Sequence, residues 1–365
     1  MSWFIFLPLF PLLAHSIPPE YPPPLATIPL YTSDNSHYAQ ISIGTPPQRQ
    51  SVIIDTGSFY TAFPCSDCPS CSAKLDPPFN DHESSTGLEV NCGQCENKKK
   101  AHCEDDHCVF SQAYAEGSSW SAIQFEDFLT LGSLSIFFVV GCQTVETGLF
   151  RTQAVDGIMG LAAHEHGLME HIEDPVRRVF SLCFRDTGGH MTVGGVDSSH
   201  HEEPVKFVDL HMQRGHYSLR VADVLLNGRS IADGAAVAVF NKGKGVLVDS
   251  GTTDTYLPSI VKAAFQREWR RATGGEERHD NGKREVSRLE FEKLPTLTFV
   301  FEGGVQFDVS PSNYMEIDKE AGHYTSRIYV EEDEGAVLGA NAMAYHNFVF
   351  DARNKRLGFA KSACL

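Results

Sequence analysis

Two aspartates stand in matching contexts in the two halves of this chain of 365 residues. Asp55 ends the apolar run of VIIDTGS and Asp249 ends that of VLVDSGT, and a hydroxyl residue, a glycine and a second hydroxyl residue follow each. A single turn of this kind is common. Two copies in the same strand-like context, each followed downstream by an apolar run with a glycine (157–162 and 336–342), indicate an internal duplication.

Two facing carboxyl groups can perform acid–base chemistry together. When two carboxyl groups lie within hydrogen-bond distance, ionisation of one disfavours ionisation of the other. The pair therefore holds one proton over a window of pH. The ionised member removes a proton from water, and the protonated member donates to a substrate carbonyl oxygen. We therefore expect Asp55 and Asp249 to activate water against a substrate carbonyl group with no metal and no cofactor. The flanking residues are expected to support the pair. Gly57 and Gly251 allow tight turns, and Thr56 and Ser250 bond across to the opposite turn. Ser58 and Thr252 donate to the carboxylates.

The elements that must position these aspartates are mostly strands. From Tyr38 onward, runs such as QSVIID, SIFFVVG and TLTFVFEGG are separated by Gly, Pro, Asn and Asp, which is the pattern of a mostly-β protein. The clearest helical pattern covers 258–274, with a proline at its start and a glycine at its end. We predict two related lobes, 37–185 and 186–365, each of which carries one aspartate.

The N-terminus and the composition point to the secretory pathway. Residues 1–16 have the pattern of a signal peptide, whose apolar run is too short to span a bilayer. The proline-rich residues 17–36 are expected to form a short propeptide or linker. A net charge of -17 argues against nucleic-acid binding. We expect a monomer that is secreted or resides in the endoplasmic reticulum or Golgi, with no membrane span beyond the signal peptide.

Seven of the 10 cysteines crowd into the stretch from Cys65 to Cys108. The even number and the signal peptide favour a disulfide-stapled insert in an oxidising compartment. The alternative is a metal-binding module, because the spacing in CSDCPSC resembles that of zinc or iron–sulfur ligands. The spacing does not determine which cysteines pair.

Over nearly all of Tyr38 to Cys364 the chain resembles the pepsin-like aspartic peptidases. The resemblance is carried by ISIGTPPQ, DTGS, DGIMGLA, MTVGGVD, DSGTT and FDARNKRLGFA. It implies a bilobed β fold with a central cleft, and a β-hairpin flap, 112–132, that closes over an extended polypeptide substrate. Tyr114 then packs over the scissile bond, with Gly117 and Ser118 beside it at the tip. The family fold also places the strands of Cys183 and Cys364 side by side, which implies a disulfide between them.

One departure from the family concerns the support of Tyr114. Pepsin-like enzymes usually carry a tryptophan seven residues after the first aspartate as the partner of that tyrosine, whereas this chain has Ala62. We expect a water molecule or another residue to take its place.

A finer resemblance is to the plasmepsin V-like processing proteases of protists. It rests on FPCSDCPSC, YAEGSSW and GLFRTQAVDGIMGL. These enzymes act in the secretory pathway on exported proteins with an arginine upstream of the cut, so the resemblance implies such substrates here. Glu116, at the flap tip, is the candidate partner of that arginine, since carboxylates pair well with guanidinium groups. The alternative is a solvated turn glutamate.

The remaining alternative is a non-catalytic binding or inhibitor protein on the same fold. Relatives of that kind lose an aspartate of the pair. Here Asp55, Asp249 and all the flanking hydroxyls and glycines are present, which favours an active endopeptidase.

Overall fold

The computed structural model describes residues 21–72, 74–275, 278–285, 288–318 and 322–365. The predicted signal peptide, 1–16, lies outside these residues. Strands dominate, as the sequence predicts. In the first half they are β1 (Ala26–Ser33), β2 (Ser36–Ile43), β3 (Gln48–Asp55), β4 (Thr61–Pro64), β5 (Leu88–Glu89), β6 (His102–Glu104), β7 (His107–Ala113), β8 (Ser119–Leu131), β9 (Leu134–Thr147), β10 (Gly157–Gly160), β11 (Phe180–Arg185) and β12 (Gly188–Val193).

The second half continues in the same style. Its strands are β13 (Lys206–Asp209), β14 (Ser218–Leu219), β15 (Val221–Leu226), β16 (Arg229–Ser230), β17 (Val246–Val248), β18 (Thr255–Pro258), β19 (Arg284–Glu285), β20 (Leu297–Phe301), β21 (Gln306–Val309), β22 (Met315–Asp318), β23 (His323–Ser326), β24 (Ile328–Glu332), β25 (Ala336–Leu338), β26 (His346–Asp351) and β27 (Arg356–Lys361).

The α-helices of the described residues are short and lie in the second half. They are α1 (Gly234–Phe240), α2 (Lys262–Thr273), α3 (Arg288–Phe291), α4 (Pro311–Tyr314) and α5 (Ala340–Met343). The pattern over 258–274 correctly predicts α2, which follows a 3-10 turn and ends at Gly274 with a left-handed φ of 64°. Within the described ranges, no helix is long and apolar enough to cross a bilayer.

The internal duplication is visible in the strand pairing. In the first half, β10 pairs parallel with β3 and antiparallel with β4. In the second half, β25 pairs in the same way with β17 and β18. The apolar runs 157–162 and 336–342 therefore lie beside the strands that lead to the aspartates. A sheet of 15 strands joins the two halves, since β11 pairs with β26, as expected of the bilobed pepsin-like fold.

The segment predicted to be a short propeptide or linker, 17–36, overlaps a strand of the large sheet. Ala26–Ser33 forms β1, which pairs antiparallel with both β2 and β12. Ala26, Ile28 and Leu30 alternate with exposed residues and enter the core. The proline-rich composition concealed this alternation.

All 10 cysteines form disulfides in the structure, which leaves no thiol free. The metal-binding alternative therefore has no thiolate ligands. Four bridges staple the insert 65–108 internally or to β9, and the fifth ties β11 to the segment that follows β27. The pairs are Cys65–Cys142, Cys68–Cys71, Cys92–Cys103, Cys95–Cys108 and Cys183–Cys364.

Candidate active site

The two aspartates face each other across the junction of the halves. Asp55 ends β3 and Asp249 follows β17, and the two turns bring the carboxyl groups close enough that the charge of Asp249 raises the pKa of Asp55. A side chain at Gly57 would overlap the Asp249 carboxyl group, and one at Gly251 would overlap that of Asp55. Glycine is required at both positions because each turn passes directly over the opposite carboxyl group.

Each carboxyl group is held by its own turn in the same way. The Gly57 N–H donates to Asp55 Oδ1 at 2.8 Å, and the Ser58 hydroxyl donates to Asp55 Oδ2. At Asp249, the Gly251 N–H donates to Oδ1 at 3.0 Å and the Thr252 hydroxyl donates to Oδ2 at 2.7 Å. Four donors therefore aim at the pair from the residues at the predicted positions.

Thr56 and Ser250 lock the two turns together. The Ser250 N–H donates to Thr56 Oγ1 at 2.9 Å, and the Thr56 N–H donates to Ser250 Oγ at 3.0 Å. Each hydroxyl then donates to a carbonyl of the opposite strand, that of Val248 at 2.9 Å and that of Ile54 at 2.7 Å. Both side chains are buried, so this network fixes the register of the two halves at the pair.

The environments of the two carboxyl groups are unequal. Asp55 is 4% exposed, whereas Asp249 is half-buried. Burial, followed by the nearby charge of Asp249, raises the pKa of Asp55 well above its usual range, while the donors Ser58 and Gly57 oppose the shift. Asp55 is therefore the member that keeps the shared proton.

Tyr114 lies over this pair at the end of a hairpin formed by β7 and β8. The Tyr114 N–H donates to the Ser118 carbonyl at 2.9 Å, which closes the turn. Burial, followed by the charge of Asp55, raises the pKa of Tyr114, while the Trp120 donor and the nearby Ser58 hydroxyl oppose the shift. The tyrosine thus reaches the turn that carries Asp55, where the sequence places it.

Trp120 supplies the anchor that Ala62 cannot. Its indole Nε1 donates to the Tyr114 hydroxyl at 3.1 Å. Trp120 is 1% exposed, and Ala62 belongs to the same apolar cluster. The small side chain at position 62 leaves room for a tryptophan that comes from the hairpin itself. The sequence contains this tryptophan in YAEGSSW. That it donates to Tyr114 depends on the register of the hairpin, which the sequence alone does not give.

The comparison with known families agrees with this geometry. A family model described as eukaryotic aspartyl protease matches residues 36–362. The chain belongs to this family. Aspartic protease 5 of Toxoplasma gondii is 34% identical over 190 residues, which is 44% of this chain and 20% of that protein. Plasmepsin V of Plasmodium falciparum is 29% identical over 175 residues, 44% of this chain and 30% of that protein.

Another relative matches over a greater length. Human gastricsin is 29% identical over 356 residues, which is 92% of this chain and 84% of that protein. Thus the match to the two protist enzymes spans less than a third of their length, whereas the pepsin-like match spans nearly the whole chain.

The remaining predicted residues of this aspartyl protease lie around the turn of the hairpin. Glu116 and Gly117 are exposed, and Gly117 has a φ of 96°, which favours glycine. Ser118 is 2% exposed, and its hydroxyl accepts from the Leu149 N–H at 2.9 Å. Ser118 therefore fastens the hairpin to the segment after β9, while Glu116 faces solvent where an extended chain could meet it.

Proposed function

We propose that this chain is an aspartic endopeptidase in which Asp55 and Asp249 activate water against a peptide bond. The observation that carries the proposal is the pair of facing carboxyl groups, each held by the N–H and hydroxyl of its own turn and buried to different degrees. Asp249, the more exposed and ionised member, removes a proton from water. Asp55, which keeps the shared proton, donates to the substrate carbonyl oxygen.

The tetrahedral intermediate collapses without a covalent adduct to the enzyme. Its breakdown returns a proton to the leaving amine, and the pair regains its single proton for the next cycle. Thr56 and Ser250 keep the two lobes, 37–185 and 186–365, in register, while Ser58 and Thr252 stabilise the carboxylates that form. Tyr114 closes over the extended substrate from the flap, 112–132.

We further propose that the enzyme processes proteins of the secretory pathway and prefers an arginine upstream of the cut. Five disulfides are typical of an oxidising compartment. The predicted signal peptide would direct the chain into the secretory pathway. Glu116 supports the specificity, since an exposed carboxylate at the flap tip can pair with a guanidinium group. Other secretory or extracellular sites remain compatible with the same chemistry.

Cleavage of a random peptide library with mass-spectrometric detection tests both the aspartate mechanism and the arginine preference. The wild type should cut the library, and Asp249→Ala should lose at least about 10²-fold in rate while its melting temperature stays close to that of the wild type. Cleavage that persists in Asp249→Ala would contradict the mechanism.

The same library tests specificity with Glu116→Gln. The wild type should enrich arginine at one position upstream of the cut, and Glu116→Gln should lose that enrichment while still cutting. An Asp249-dependent cut without arginine enrichment would refute the role of Glu116 and leave the endopeptidase proposal intact.

A further inference from the structure

A buried ion pair lies outside the mechanism proposed above. Lys74 Nζ is 3.5 Å from Glu146 Oε2, and the two side chains are 1% and 0% exposed. Removing two charges from water costs several kcal/mol per ion, and apolar replacement of such pairs is often neutral or stabilising. Folding stability alone therefore does not account for this pair, and its contacts point to another role.

Both members of the pair reach the residues that support Tyr114. Lys74 Nζ donates to the main-chain carbonyl of Phe150, and the Phe150 ring packs against Tyr114 with their centroids 5.2 Å apart. Glu146 stands opposite Trp120 in the pairing of β8 with β9. Lys74 is thus connected to the ring of Tyr114 through Phe150, and Glu146 is the neighbour of Trp120, which donates to the Tyr114 hydroxyl.

The cysteine-rich insert delivers Lys74 to this position. The Cys68–Cys71 disulfide closes a small loop just before Lys74. Ser70, inside that loop, accepts a hydrogen bond from the Glu146 N–H at 3.1 Å. The loop is therefore fixed to the end of β9 that carries Glu146.

We propose that Lys74 and Glu146 are positioning residues that hold Tyr114 in its closed place, so that the insert supports the flap. This inference rests on the proposed endopeptidase function. In a chain with Ala62 in place of the usual tryptophan, Trp120 and Phe150 carry the tyrosine. Lys74 holds Phe150 through a side-chain donor to its main-chain carbonyl, and Glu146 stands directly opposite Trp120, where side chains on paired strands are neighbours.

The test must separate positioning from stability. Burial lowers the pKa of Lys74 and raises that of Glu146, and the charge of the partner opposes both shifts. A single substitution therefore leaves an unpaired buried charge and destabilises the protein. The double variant Lys74→Met/Glu146→Gln removes both charges and keeps similar shapes.

For this double variant we expect about a tenfold loss of kcat on a cleaved peptide. KM should change less than about twofold, and the melting temperature should stay within about 4 °C of the wild type. The matched control is Lys244→Met/Glu332→Gln, which removes an ion pair of 2.7 Å in the second half and should leave kcat unchanged.

A double-mutant cycle with Tyr114→Ala shows whether the effect passes through the tyrosine. In that background, Lys74→Met/Glu146→Gln should lower kcat less than about twofold. A full tenfold loss in the Tyr114→Ala background, or no loss in the wild-type background, overturns the proposal. Absence of any Asp249-dependent cleavage by the wild type overturns the endopeptidase function instead.

Phe150→Leu keeps the inference testable if the double variant unfolds below the assay temperature. It removes the ring that contacts Tyr114 but retains the carbonyl that accepts from Lys74. A loss of kcat of similar size supports the path from Lys74 to Tyr114, and an unchanged kcat contradicts it.

Discussion

Unequal burial gives the two aspartates different roles. Asp55 sits at the end of a buried strand, whereas Asp249 is reached by solvent. Because its pKa is raised by burial and by the neighbouring charge, Asp55 stays protonated to a higher pH than an isolated carboxyl group. Activity requires one protonated and one ionised member, so the rate should fall as the pH rises through the pKa of Asp55.

Ser58→Ala should move this basic limb to higher pH. The Ser58 hydroxyl donates to Asp55 Oδ2 and favours its ionised form, which lowers the pKa of Asp55. Without the donor, Asp55 holds its proton to a still higher pH. The measurement is the pH profile of kcat/KM for one peptide.

The matched control is Thr252→Ala, which removes the equivalent donor to Asp249. It should leave the basic limb where it is in the wild type. A basic limb that moves to lower pH in Ser58→Ala, or an identical shift in both variants, would contradict the assignment of the proton to Asp55.

The flap is the element whose support differs from the family pattern. Its hairpin carries both Tyr114 and the tryptophan that anchors it, so the anchor moves with the flap. In the usual arrangement, the tryptophan would belong to the strand after the first aspartate, at the position of Ala62. We infer that the tyrosine and its anchor form one unit, which Phe150 and the insert hold from outside.

Trp120→Phe isolates the indole hydrogen bond. Phenylalanine keeps most of the apolar contact in the cluster but cannot donate to the Tyr114 hydroxyl. A hydrogen bond of about 1 kcal/mol predicts about a fivefold loss of kcat. Steady-state kinetics on one peptide measures it, and Trp269→Phe, in α2 of the second half, should leave kcat unchanged. Equal losses in both variants would show that the effect is not specific to the flap.

Local pattern predicted the strands, α2 and the repeated aspartate turns, because each depends on residues close in sequence. The cross-lobe bonds of Thr56 and Ser250 were predictable because the duplication places equivalent residues together. Trp120 and Lys74 were not assigned roles, since their contacts depend on hairpin register and on the path of the insert. The role of β1 was missed because the proline-rich composition concealed its alternation, although one of its partners, β2, follows it directly in the chain.

Eight histidines in the described part of the chain share one electrostatic property across the whole molecule. Burial lowers their pKa values below the ordinary value of 6.5. They are His37, His164, His171, His190, His201, His216, His279 and His346.

These histidines make the folded state sensitive to acid. In the unfolded chain they bind protons near pH 6.5, whereas in the folded chain they resist protonation. The unfolded state therefore binds more protons below that pH, and acidification favours unfolding. The stability of the fold therefore suits a compartment near neutral pH, in line with the proposed secretory pathway.

His279 should account for a measurable share of this acid sensitivity. It is 6% exposed, lies against the rings of Phe265 and Trp269, and burial lowers its pKa to about 4. Its contribution to the free energy of unfolding is complete above pH 6.5 and is lost as the pH falls toward 4, by about 3 kcal/mol.

Denaturant unfolding of the wild type and of His279→Gln between pH 7 and pH 4 measures that contribution. Glutamine cannot take up the proton, so the free energy of unfolding of His279→Gln should fall less steeply over this range. The comparison uses the slope with pH, because the substitution also alters packing and the bond to Ser326. His82→Gln, at a side chain that is 75% exposed, should keep the wild-type slope. Parallel curves for the wild type and His279→Gln would mean that this histidine titrates alike in both states, and that the acid sensitivity lies with the other seven.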